Sequence, residues 1–85
     1  MEKSIDVGKL QAVREKLVAE LEKTRVPELE LWPSLFEDLK SGKKVPQSLM
    51  LLDFADSVGF EMGLDEQERF LIRNELFLEN RWFRK

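Results

Sequence analysis

The chain has no cysteine and no histidine. Without cysteine there is no disulfide and no thiolate metal site. Without histidine the commonest transition-metal ligand and the commonest acid–base catalyst are both missing. Only three prolines and four glycines interrupt 85 residues, too few for a loop-rich or low-complexity chain. No stretch approaches the roughly 18 consecutive apolar residues that a membrane span needs. The amino end, Met1-Glu-Lys-Ser-Ile-Asp6, lacks the basic flank and apolar centre of a secretion signal. The expectation is therefore a cytoplasmic protein with no membrane association. A glycine-rich phosphate loop is also missing: Gly59 and Gly63 stand alone, and Gly42-Lys43-Lys44 has no glycine upstream. No nucleotide, cofactor or metal is expected.

What remains is rich in two classes of residue. The sequence is 42% hydrophobic and 36% charged, a mixture that favours folded helices over disorder. Eighty-five residues make one domain, here residues 1–85. A domain of this size buries only about 60–65% of its unfolded surface, so good helix packing or association with another chain must supplement its core. The net charge is −3 and the pI about 5.0. That field weakly repels a phosphate backbone, so any nucleic-acid binding needs a local basic patch.

Helical spacing organises most of the chain. Asp6 reads as the N-cap of a first helix over about 7–25, with Leu10, Val13, Leu17 and Leu21 inward and Arg14, Glu15, Glu22 and Lys23 outward. Val26-Pro27 ends it. Residues 28–32 alternate apolar and polar, which suits one helical turn or a short extended piece. Pro33 opens a second helix over about 33–41, closed by Gly42 with Lys40, Lys43 and Lys44 near its negative end. Val45-Pro46 repeats the start signal for a third helix over about 46–58, with Gly59 as its cap. Leu49, Met50, Leu51, Leu52, Phe54, Ala55 and Val58 cover most of its circumference. Asp65 and Glu68 form a capping box for a fourth helix over about 65–82. No hairpin signal is present. The expected fold is all-α, a compact four-helix bundle with a short second helix, and Leu17 and Phe54 belong to its core.

Catalytic chemistry is thin. Five serines are present but no histidine to activate one. Ser41 and Lys44 lie at a helix end and read as turn residues. Six acids and no base lie between Val45 and Glu68: Asp53, Asp56, Glu61, Asp65, Glu66 and Glu68. Oxygen-rich sites take Ca²⁺ or Mg²⁺, but Asp56-Ser-Val-Gly-Phe-Glu does not follow the calcium-loop pattern. Solvated surface and helix capping account for these acids, with a weak metal site or an acidic docking face for a basic partner as the alternatives.

The most informative segment is the last. At about 100° per residue, a helix over 65–82 gathers Phe70, Leu71, Phe77, Leu78 and Trp82 on one side, and Ile72, Leu76 and Phe83 on the other. One side can line the chain's own core while the second meets a partner. Asn80-Arg-Trp-Phe-Arg-Lys85 adds the aromatic and arginine content of binding hot spots. Ile72, Leu76, Arg81, Trp82, Phe83 and Arg84 are therefore the candidate partner-binding residues.

The expected function is a small non-catalytic protein–protein interaction module: a regulator, adaptor or inhibitor that docks on another protein and forms a homodimer. The rival reading is a helix-turn-helix transcription regulator built from helices three and four, using Arg69, Arg73, Arg81, Arg84 and Lys85 on nucleic acid. Against it, Glu66 and Glu68 occupy positions that would face phosphates.

Overall fold

The structure, a computed structural model, describes residues 5–83. Among them the chain runs α1 (Val7–Glu22), α2 (Glu28–Leu31), α3 (Leu35–Ser41), β1 (Val45–Gln47), α4 (Leu49–Glu61), α5 (Glu66–Leu76) and β2 (Phe77–Trp82). The molecule is mostly helical, but five helices and a two-stranded parallel sheet replace the expected all-α four-helix bundle.

Local signals place the helix starts well. The Asp6 carboxylate accepts the Lys9 N–H at 3.3 Å. Asp65 and Glu68 complete the capping box, with side chain to backbone distances of 2.8 and 3.1 Å. Helix α1 stops at Glu22 rather than 25. The Lys23 and Thr24 N–H groups turn back to the Glu20 and Leu21 carbonyls, which tightens the last turn ahead of Val26-Pro27. Residues Glu28–Leu31 choose the helical turn over the extended form.

Helix α4 starts and ends three residues later than the expected 46–58. Pro46 lies inside β1, where its missing N–H is tolerated at a strand edge. Ser48 is the true N-cap, its hydroxyl accepting the Leu51 N–H at 3.1 Å. Gly59 is not the C-cap; the helix runs through it. Gly63 takes the left-handed conformation (φ 81°). Leu64 N–H then reaches Gly59 O and Gly63 N–H reaches Phe60 O, both at 3.0 Å, which is the Schellman arrangement.

The last segment departs most from expectation. The helix expected over 65–82 ends at Leu76, and Phe77 turns extended at φ −124°, ψ 148°. Phe77 enters the core, and β2 runs parallel to β1 with Val45 opposite Phe77 and Gln47 opposite Trp82. The ladder is bulged, because β1 advances from 45 to 47 while β2 advances from 77 to 82. Gln47 bridges the gap: its Nε2 donates to the Leu78 and Glu79 carbonyls, both at 2.8 Å. Phe83 N–H donates to Gln47 O at 2.8 Å.

One core draws on six of these elements, with Leu29 of α2 packed partly buried against it. Leu17, Leu21, Leu35, Leu39, Leu51, Ile72 and Leu76 are its largest fully enclosed side chains. Phe54, expected inside, is only partly buried against this cluster. Arg14, expected outside, is buried; its guanidinium donates to Leu39 O at 3.1 Å and Glu75 O at 3.5 Å, joining α1 to α3 and α5. In the first turn of α1, Lys9 pairs with Glu68 at 2.9 Å.

Candidate docking groove

A groove of about 840 Å³ lies where three separate segments meet. Pro27, Glu28, Glu30 and Leu31 come from α2 and the residue before it. Ser48, Leu49 and Met50 come from the start of α4, and Trp82 and Phe83 from the end of β2. Its volume falls in the range of about 300–1,000 Å³ typical of binding clefts.

Local rules explain why apolar groups are left open here. Ser48 caps α4, so Leu49 is its first residue and no preceding turn covers it. Helix α2 is a single turn and cannot hide both of its sides, which leaves Leu31 outward. Trp82 ends a strand whose last four residues are exposed. The result is Leu31 at 58%, Leu49 at 73% and Trp82 at 51% exposure.

One wall is braced by aromatic contacts. Phe83 meets Trp32 edge to face, with ring centroids 6.2 Å apart and planes at 88°. Trp32 Nε1 in turn donates to Asp38 Oδ2 at 2.6 Å, and Ser34 Oγ donates to the same oxygen at 3.0 Å. The Trp32 hydrogen bond holds the Asp38 carboxyl below its usual pKa, with help from Ser34 and Lys43, while partial desolvation opposes them. Asp38 thereby fixes Trp32, and Trp32 fixes Phe83.

The groove is acidic as well as apolar. Glu28 and Glu30 line it, and among the described residues no basic side chain does. Glu28 is only 8% exposed, and its Oε1 has no hydrogen-bond partner among the described residues. A buried carboxylate oxygen without a donor is costly.

The expected partner-binding residues separate. Ile72 at 1% and Leu76 at 0% exposure lie in the chain's own core, which corrects the expectation that they form an open apolar side. The sides of α5 are exchanged: Phe70, expected inward, is exposed beneath the Arg73 guanidinium at 5.7 Å. Trp82 and Phe83 do come together, at the groove. Arg81 is exposed on β2, and Arg84 lies outside the described residues. Leu31, Leu49 and Glu28 were not singled out as binding residues in the sequence. The only hint was the apolar surplus at Leu49 and in Glu28-Leu-Glu-Leu-Trp32.

Other constellations are occupied internally. Arg69 Nε pairs with Asp56 Oδ1 at 3.0 Å and its Nη1 donates to Leu64 O at 2.6 Å, so it braces the α4–α5 turn. Ser41 Oγ donates to Asp38 O at 3.1 Å, as a turn residue does. Among the described residues no three acids gather into a metal-sized cluster, and no helix is long and apolar enough to cross a membrane. No protein-family model, curated protein or solved structure matches the chain.

Proposed function

We propose that the protein is a non-catalytic protein–protein interaction module, acting as a regulator, adaptor or inhibitor. Its docking site is the groove between α2, the start of α4 and the end of β2. The occupant is an apolar segment of a partner protein that carries a basic side chain. The convergence of Leu31, Leu49 and Trp82, each more than half exposed, carries this reading. Large apolar groups from distant parts of a sequence meet at one surface when that surface is to be covered. Burying the exposed half of Trp82 alone contributes about 2–3 kcal/mol before ordering costs. Glu28 and Glu30 supply the charge selectivity.

Comparative capture tests this. The parent protein, Leu49→Ser and Trp82→Ala are immobilised and exposed to a lysate of the source cells. Both substitutions are expected to remove the captured partner while urea midpoints stay near the parent's, because both side chains are half exposed or more. A partner retained by both variants would sink the groove assignment. Duplex-DNA affinity that falls steeply with salt would replace the whole reading with nucleic-acid binding.

A further inference from the structure

Strand β2 is six residues long, whereas its partner β1 has three. The sheet has only these two strands among the described residues, so β2 keeps one edge with no strand beside it. Parallel strands normally sit inside larger, covered sheets, and an isolated pair is marginal. Here the pair is held from one side, by the Gln47 side chain on the Leu78 and Glu79 carbonyls and by Gln47 O on Phe83 N–H. Residues 79–82 face solvent.

The sequence of this strand is self-complementary about its middle. Asn80 is flanked by Glu79 and Arg81, then by Leu78 and Trp82, then by Phe77 and Phe83. Pairing two copies antiparallel about a two-fold axis at Asn80 sets Glu79 opposite the second copy's Arg81, twice, and Leu78 opposite its Trp82, twice. Opposite charges and aliphatic–aromatic pairs directly across two strands stabilise such a ladder, and like charges there oppose it. The pattern selects one register. A slip of two residues in either direction sets Glu79 against Glu79 or Arg81 against Arg81. Parallel in-register pairing does both at once.

We propose that the protein forms a homodimer in which two β2 edges pair antiparallel about Asn80, joining two two-stranded sheets into one of four strands. The contact is isologous, so it closes and does not propagate into a fibre. It deepens the interaction reading, on which it rests for the role of the C-terminal segment as a contact surface, by naming a second copy as a partner.

Charge exchange across the two-fold axis tests it. In sedimentation equilibrium the parent dimerises. Glu79→Arg and Arg81→Glu alone each oppose two like-charged pairs and are expected to weaken dimerisation by about tenfold or more. Mixed one to one, the two variants restore both ion pairs and form a heterodimer at least as tight as the parent dimer. Both positions are exposed, and far-ultraviolet circular dichroism verifies that each variant is folded. A parent that stays monomeric at about 1 mM overturns the proposal. So do variants that self-associate like the parent and show no preference for each other. Leu49→Ser lies off the strand and leaves the dimer constant unchanged, so loss of groove docking and loss of dimerisation are read separately.

Discussion

Asp38 shows how much a single exposed-looking residue can organise. It holds Trp32 through the indole N–H, and Trp32 holds Phe83 at the groove wall. Because that hydrogen bond, with Ser34 and Lys43, lowers the carboxyl's pKa below its ordinary 3.8, the unfolded chain takes up the proton first as pH falls. The stabilisation is complete above the unfolded value and is lost as pH falls through the folded one. Asp38→Asn is therefore expected to flatten the fall in stability below about pH 4, read from urea midpoints across an acid series. An acid limb identical to the parent's would show that the Trp32 contact does not discriminate between the two protonation states. Residues whose partners are their own sequence neighbours, such as Asp6, Asp65 and Glu68, were legible in the sequence, because a cap is complete within four positions. Arg14 was not. A helical wheel sends its charge to solvent, and only the distant Leu39 and Glu75 carbonyls make burial tolerable. Burial still lowers the guanidinium's pKa, with the nearby Glu75 opposing, yet arginine stays charged in any protein setting.

Among the elements, the clearest contrast is between the two glycines near the end of α4. Gly63 has a positive φ, and a side chain there is expected to cost about 1–2 kcal/mol whatever its surroundings. Gly59 is helical, and a Cβ there would lie 2.9 Å from Arg69 Cγ. Gly59→Ala therefore loses stability by displacing Arg69 from Asp56. Arg69→Ala should relieve the Gly59→Ala loss and leave the Gly63→Ala loss untouched, in a double-mutant cycle followed by urea unfolding. Equal coupling to both glycines would show that the turn, and not the Arg69 contact, sets both costs. The sequence offered both glycines as punctuation and no means of ranking them. It likewise offered no stop after Leu76, since neither glycine nor proline follows. The helix ends there because Phe77 fits the core and its backbone meets Val45, which is tertiary override of a helical pattern. The period of the apolar residues was correct to Leu76 and lost its meaning one residue later. That is why Ile72 and Leu76 went to the wrong side of the expected interface.

For the molecule as a whole, the single core carries the stability, and its members were mostly visible as helical stripes. Leu17 is fully enclosed on α1 and packs in the cluster shared with α3, α4 and α5. Leu17→Ala should cost about 2–5 kcal/mol, whereas Phe54→Ala, at a partly buried position, should cost distinctly less; urea midpoints of the two rank them. Phe54→Ala as damaging as Leu17→Ala would mean that the core extends further along α4 than its burial indicates. The groove was only half legible, because Trp82 and Phe83 carried an aromatic signal while Leu31 and Leu49 become neighbours only after the chain folds. The two strands of the sheet are separated in sequence by the whole of α4 and α5, with Gln47 and Leu78 31 positions apart. Helical turns nucleate from neighbouring residues, but this pair must first close a long loop, whose entropy is lost before any ladder bond forms. Docking of β2 on β1 is thus expected to follow formation of the helices, with β2 amides gaining protection last in pulsed hydrogen exchange.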